Sequence, residues 1–299
     1  MTEPPSAPVA PPAAEHGRLW LYGPVLLGAG AFAFADVFVK VALNSGADAL
    51  TIVTARGALV LPLIYAWLKL SGPIVPLTPR GRWIAYGLGI LFAGNVYFLI
   101  EAIRLITVPV AILTYFVYPL LTGLFAAATG IEKLSWRGIA AAVLAFLGLA
   151  LMLGAHPTAL ATFGILGALA AACCRVALLL ITRAAMQGAD ARLITWYSSI
   201  STTVLFVLLS LALMHWQPPE NAYGWFVIVL LGIAMTAGIL GVFASTARIG
   251  PFRTALFMNL EPPLTTLGSA LVLGEVVAPW QAVGGAVMIG ALVVFQMRR

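Results

Sequence analysis

Ten apolar stretches follow one another along this chain, and each is long enough to cross a lipid bilayer as a helix. We place them at residues 19–43, 49–70, 83–103, 107–129, 135–154, 162–186, 190–213, 222–247, 251–273 and 279–297. A membrane-spanning helix needs about 20 apolar residues, because its backbone polar groups must be satisfied within the helix. The continuous runs differ from the alternating pattern of an outer-membrane barrel. The chain is therefore predicted to be an all-α integral membrane protein.

The composition agrees with this prediction. Of the 299 residues, 62% are hydrophobic and only 9% are charged, whereas a soluble domain carries about 25% charged residues. Residues 1–18, rich in Pro and Ala, lack the features of a signal peptide and are expected to form a disordered cytoplasmic tail. The adjacent Cys173 and Cys174 lie in one span and show no metal-ligand spacing, so we expect neither a metal site nor a cofactor there.

The net charge of +6 indicates orientation in the membrane and not a nucleic-acid partner. Most basic residues fall on the side that ten spans assign to both termini: Arg18, Lys69, Arg80, Arg82, Lys133, Arg137, Arg183, Arg192, Arg248, Arg253, Arg298 and Arg299. Lys40 and Arg104 lie near helix ends on the other side. Because positive residues favour the cytoplasm, both termini are predicted to be cytoplasmic and the protein to lie in the inner (plasma) membrane.

Two segments of the chain repeat each other at a distance of 143 residues. Pro119 and Pro262 fall inside apolar spans, and each is followed thirteen positions later by a glutamate, Glu132 or Glu275. Since each half holds five spans, the second half should run upside down relative to the first, as in many secondary transporters. We expect repeats at 19–156 and 157–299, divided near His156-Pro157-Thr158, which together form one transport domain.

These features resemble the drug/metabolite transporter superfamily, of the EamA type, over residues 20–297. The resemblance rests on an aromatic and small-residue stretch at 32–40 that ends in Lys40, on Arg56-Gly57, and on a proline followed by Gly274-Glu275 or, with Ile131 in place of glycine, by Glu132. Within the superfamily the chain looks most like the YddG-type exporters of aromatic amino acids. The resemblance implies a small-molecule exporter.

Four charged residues fall deep inside predicted spans: Asp36, Arg56, Arg175 and Glu261. A charge at the bilayer centre costs roughly 2.5–3.5 kcal/mol, so each should face a partner or water. Asp36 could pair with Lys40 on one helical face, and Arg56 could extend to the interface or pack. Arg175 has no polar neighbour in sequence, and we expect its guanidinium to bind a substrate carboxylate or phosphate.

Further candidate residues lie around the two prolines. Tyr115 and Tyr118 are expected to stack on the substrate, and Glu261 with the freed carbonyls of Met258 and Asn259 to receive a cation. Pro119, Pro262 and Pro263 are candidate hinges, since proline removes a helical hydrogen bond. Asn95 and Phe243 could line the same cavity. The alternative for Glu261 is a hydrated kink that serves packing.

The sequence thus predicts a secondary transporter that exports amino acids, including aromatic ones, or related metabolites by alternating access. The alternatives are a multidrug or cationic-compound exporter of the same fold, a channel, a lipid scramblase and, least favoured, an intramembrane enzyme, since His16, His156 and His215 lie outside the spans. No nucleotide-binding motif is present, so ion or substrate gradients must supply the energy. The small residues of the fifth and tenth spans leave monomer and homodimer open.

Overall fold

A computed structural model describes residues 18–70, 72, 74–154, 162–214 and 216–297. The predictions for the N-terminal tail with His16, for the division at His156-Pro157-Thr158, for His215 and for Arg298 and Arg299 lie outside these residues. The described chain is helical throughout its apolar stretches. Eight of its helical segments are long and apolar enough to cross a membrane.

The helices follow the predicted spans closely. They are α1 (Arg18–Asn44), α2 (Ala49–Leu70), α3 (Pro79–Leu105), α4 (Val108–Tyr115), α5 (Tyr118–Ala128), α6 (Trp136–Leu153), α7 (Thr162–Ala185), α8 (Ala191–Ala212), α9 (Ala222–Ile249), α10 (Pro251–Phe257), α11 (Glu261–Leu273) and α12 (Pro279–Met297). Helices α4 and α5 together make the fourth predicted span, and α10 and α11 make the ninth. The other spans are continuous helices.

Both broken spans are interrupted immediately before the prolines singled out in the sequence. Helix α4 ends at Tyr115, and α5 begins at Tyr118 with Pro119 in its first turn. Helix α10 is followed by a 3₁₀ turn at Met258–Leu260, after which α11 begins. Proline is accepted in the first turn of a helix because the N–H that it lacks has no intrahelical partner there.

One prediction at the second break is wrong. We expected the carbonyl of Met258 to be free for a cation, but it accepts the backbone N–H of Glu261. The 3₁₀ turn, with its i to i+3 hydrogen bonds, supplies this donor where the α-helical one is missing.

Packing between helices recurs when each is replaced by its counterpart 143 residues away. Helix α1 packs along α9, and its counterpart α7 packs along α3, the counterpart of α9. Helices α2 and α6 pack against their own counterparts, α8 and α12. This pattern is what an approximate twofold relation between the halves produces. Helix α1 of the first half therefore packs against the second half, and α7 of the second half packs against the first.

Small residues allow these helices to approach closely. A Cβ atom on Gly241 of α9 would lie 2.4 Å from the carbonyl oxygen of Pro24 in α1. A Cβ atom on Gly89 of α3 would lie 2.1 Å from the carbonyl oxygen of Ser198 in α8. Backbone contact of this kind is the usual basis of helix association in lipid.

The bundle has two ends, which we name after the paired glutamates. At the Glu275 end, the loop after α1 is joined to the loop before α9, because the N–H of Glu220 donates to the carbonyl of Ser45 at 3.0 Å. Lys40 pairs with Glu275 at this end. At the Glu132 end, the carboxylate of Glu132 contacts the start of α10.

Candidate functional site

The guanidinium of Arg175 lies between two aromatic rings in the interior of the bundle. Arg175 is 4% exposed, and its Cζ lies 5.4 Å from the ring centroid of Phe32 and 5.8 Å from that of Tyr118. Tyr118 also interacts electrostatically with it. Among the described residues, Nε of Arg175 has no hydrogen-bond partner. A buried charged donor without a partner is costly, so this N–H is available to a ligand.

Two carboxyl groups face each other near this guanidinium. Asp36 of α1 and Glu261 of α11 interact electrostatically, and Thr265 Oγ1 donates to Asp36 Oδ2 at 3.2 Å. Two carboxylates close to each other repel, so a proton or a cation bound between them is favoured. Glu261 also interacts electrostatically with Arg175. The site therefore presents an acidic side and a basic side.

Two alternatives that the sequence left open are settled by geometry. Lys40 pairs with Glu275 and not with Asp36, because it lies one turn nearer the end of α1. Arg56 does not extend to the membrane interface: it is buried and interacts electrostatically with Asp36. Arg56 thus partly balances the acidic pair from α2.

Asn95 fixes α7 beside the site. Its Nδ2 donates to the carbonyl oxygen of Ala171 at 2.9 Å, one helical turn before Arg175. The side chain of Asn95 also lies near that of Tyr115. The ring of Tyr115 lies 5.2 Å from that of Tyr118. Asn95 and Tyr115 therefore belong to the same group of side chains as Arg175.

Two other candidate residues are held by packing. Asn259 donates its Nδ2 to the carbonyl of Leu256 at 3.0 Å, and the side chain of Phe243 is buried in the apolar core. Their contact with a ligand stays a prediction.

The sequence analysis did not name Phe32 or Thr265 as site residues. Phe32 precedes Arg175 by 143 residues and is therefore its counterpart, and the structure shows the two in contact. Tyr118 is fully buried, and its ring contacts the guanidinium of Arg175. Its stacking on a substrate stays a prediction.

The acidic side of the site is less buried than the basic side. Asp36 lies more than halfway along α1, yet its side chain is exposed, and Glu261 is half-buried. Along α11, only Pro263 is buried. The counterpart helix α5 has five buried residues, from Tyr118 to Ala126. The two halves therefore differ in how far their broken helices are packed.

The two ends of the bundle differ in the same way. Helix α5 packs on α10 at the Glu132 end, whereas their counterparts α11 and α4 make no comparable contact at the Glu275 end. The ring of Phe252 in α10 is so close to α5 and α6 that a Cβ atom on Gly123 or Gly138 would lie within 2.9 Å of it. The broken helices thus pack on each other at the Glu132 end, which we call the closed end, and make no comparable contact at the Glu275 end, which we call the open end.

A membrane protein with many helical spans, two broken ones and a cluster of charged residues near their breaks belongs to the class of multi-pass membrane transporters. The sequence pattern of the EamA-like transporter family matches the chain twice, at residues 19–154 and 162–297. The chain belongs to this family. It is a membrane transporter of small molecules, with two copies of the EamA repeat.

Comparison with individual proteins gives information on the fold only. No curated protein matches the sequence significantly. A solved crystal structure matches with a TM-score of 0.76 and covers 93% of this chain and 100% of its own. The two sequences are 20% identical, so this likeness establishes a shared fold.

Proposed function

We propose that this protein is a secondary transporter that exports amino acids, including aromatic ones, or related zwitterionic metabolites. The observation that carries the proposal is the buried guanidinium of Arg175, whose Nε lacks a partner among the described residues. It lies in the same charged cluster as the Asp36–Glu261 pair. A zwitterion offers a carboxylate to the first and an ammonium group to the second.

The charge and shape of each side chain in the site indicate its role. Arg175 binds the substrate carboxylate, and Phe32 and Tyr118 hold the guanidinium in a fixed plane by cation–π contact. Asp36 and Glu261 receive the ammonium group. Tyr115 and Asn95 keep α4 and α7 in register beside the substrate.

Movement follows from the two repeats. With five spans each, the second repeat runs inverted relative to the first, and both termini lie in the cytoplasm of a cell whose inner membrane holds the protein. The Glu132 end then faces the cytoplasm and the Glu275 end faces outward. Rocking about the central site, with hinges at Pro119, Pro262 and Pro263, exposes the site to each side in turn, which is alternating access.

The test is uptake of a panel of amino acids into proteoliposomes, with and without an imposed proton gradient. We expect saturable uptake by the wild type. For Arg175→Ala we expect the uptake rate to fall at least about tenfold, which corresponds to the free energy of one hydrogen bond to a charged group. Arg175→Lys should restore little, since an ammonium group cannot replace a planar guanidinium. Arg104→Ala, an exposed arginine paired with Glu101, is the matched control. Wild-type uptake by Arg175→Ala would refute the assignment.

A multidrug exporter is the second candidate, and the Asp36–Glu261 pair favours it, because two carboxyl groups suit an organic cation. The two candidates differ in what Arg175 does. Removing a buried positive charge should improve transport of a permanent cation and abolish that of a zwitterion. Tetraphenylphosphonium and the best amino acid of the panel, compared in Arg175→Ala, separate the two functions.

A further inference from the structure

A cleft at the Glu132 end of the bundle is lined mainly by basic side chains. Its volume is about 220 Å³. The polar residues that line it are Glu132, Lys133, Ser135, Arg137 and Arg253, and the aromatic ones are Phe252 and Phe295. The chain brings them together from three places: the loop after α5 with the start of α6, the start of α10, and the last turn of α12. Basic groups from separate segments thus converge on one small space.

The carboxylate in the cleft is already engaged by the protein. Oε2 of Glu132 accepts the backbone N–H of Phe252 at 3.0 Å, and Oε1 lies 3.7 Å from Nε of Arg253. Lys133 and Arg137 are exposed and form no ion pair with any described residue. Three basic side chains against one carboxylate leave an excess of two positive charges. The cleft therefore favours an anion.

The repeated scaffold does not account for these basic residues. None of the three has a basic counterpart 143 positions away: the counterparts are Val276, Trp280 and Val110. The fold that the two halves share is thus built without a basic cluster at the opposite end. The cluster belongs to one end of the molecule alone, which is the end predicted to be cytoplasmic.

The cleft lies where a membrane-facing surface begins. Trp136, the first residue of α6, is 75% exposed, and tryptophan is enriched where the bilayer meets water. Exposed apolar side chains continue from it along α6 at Ile139, Val143 and Leu147. Spacings of three and four place them on one face of the helix. An anion in the cleft would therefore have beside it an apolar path that suits an acyl chain.

We infer that this cleft binds the head group of an anionic phospholipid. Lys133, Arg137 and Arg253 hold the phosphate, and an acyl chain lies along the exposed face of α6. Basic pockets between membrane helices on the cytoplasmic side are typical sites for anionic head groups. The cleft is smaller than the roughly 300–1,000 Å³ of pockets that enclose a drug-sized ligand, so it suits a head group whose chains remain in the bilayer. The inference does not depend on what the protein transports.

The experiment measures lipid binding to the full-length protein in detergent by native mass spectrometry. Dioleoylphosphatidylglycerol is the anionic probe, dioleoylphosphatidylcholine is the probe without net charge, and glycerol 1-phosphate is the free head group. We expect the dissociation constant of the anionic lipid to be at least about tenfold lower than that of phosphatidylcholine. An excess of glycerol 1-phosphate should not displace the anionic lipid. Displacement would assign the cleft to a soluble phosphate compound and overturn the lipid site.

A double variant tests the basic residues themselves. Lys133→Gln with Arg137→Gln removes two charges, and each basic residue near the membrane contributes about fivefold to the binding of an anionic lipid. We therefore expect the dissociation constant of phosphatidylglycerol to rise about 25-fold and that of phosphatidylcholine to change little. The matched control is Lys69→Gln with Arg80→Gln, which removes two exposed charges at the same end but outside the cleft. It should leave both constants unchanged.

Three results would contradict the site. If the two double variants, each checked for folding by gel filtration, weaken phosphatidylglycerol binding alike, the basic residues act only as diffuse surface charge. Equal dissociation constants of the two lipids in the wild type would also refute an anionic site. The same spectra give the oligomeric mass, and a dimer that binds no phosphatidylglycerol would assign the exposed face of α6 to a second copy of the chain.

Discussion

Arg175 is charged, buried and short of one hydrogen-bond partner among the described residues. Such a residue is tolerated inside a membrane protein when something offsets its cost. Two aromatic rings do so partly, since a desolvated cation–π contact contributes about 2 kcal/mol. The unpaired Nε is the part that they leave unsatisfied, and a bound carboxylate would satisfy it.

A prediction at this scale concerns the ring of Phe32. Phe32→Leu removes the ring from the guanidinium, and we expect the half-saturation concentration for amino acid uptake to rise about tenfold. Phe38→Leu is the control, because Phe38 lies two turns further along α1 and stacks on Phe34 with centroids 4.2 Å apart. Equal half-saturation concentrations for the two variants would contradict the role of Phe32.

At the scale of helices, backbone contacts at small residues set the architecture. Gly89 and Gly87 lie on the same helix, α3, and differ in their surroundings. A Cβ atom on Gly89 would collide with the carbonyl oxygen of Ser198, whereas one on Gly87 would meet nothing within 4 Å. The α3–α8 contact therefore depends on Gly89.

Gly89→Ala should destabilise the protein by about 1–3 kcal/mol, the usual cost of overpacking. Gly87→Ala should be neutral or slightly stabilising, since alanine is the better helix former. Thermal unfolding in detergent, followed by tryptophan fluorescence, compares the two. Equal melting temperatures of the two variants would show that the contact between α3 and α8 at Gly89 does not contribute to stability.

The breaks in the helices give a second prediction. Pro119→Ala restores a backbone N–H at the junction of α4 and α5, which should favour a continuous helix and slow transport several-fold with unchanged substrate affinity. Pro62→Ala is the control, because Pro62 lies inside the continuous helix α2. The turnover rate in proteoliposomes measures the difference, and an unchanged rate in Pro119→Ala would remove its hinge role.

The sequence predicted much of this structure because its strongest signals are local. Apolar runs define spans and prolines define breaks, so both broken helices lie where Pro119 and Pro262 indicated. Partners could not be predicted in this way. Lys40 reaches Glu275, and Tyr118 turns to Arg175, because helix rotation and packing set which side chains meet. The spacing of four between Asp36 and Lys40 allowed a pair that the fold does not make.

At the scale of the whole molecule, the two halves share the same pattern of helix packing, but their broken helices contact each other only at the Glu132 end to a comparable extent. The positive-inside prediction assigns the Glu132 end to the cytoplasm. With Cys173→Ala and Cys174→Ala as background, Val276→Cys should react with a membrane-impermeant maleimide in intact cells. Gly72→Cys should react only after permeabilisation. The reverse pattern would invert the proposed direction of opening.

The most direct test of the account is counterflow in proteoliposomes. Vesicles loaded with an unlabelled amino acid should take up the labelled one faster than empty vesicles, because a carrier returns its site more readily when substrate occupies it. Arg175→Ala should abolish this acceleration, and Arg104→Ala should retain it. If the uptake rate of the labelled amino acid is independent of the internal amino acid and rises with external concentration without saturation, a carrier with its site at Arg175, Asp36 and Glu261 is contradicted.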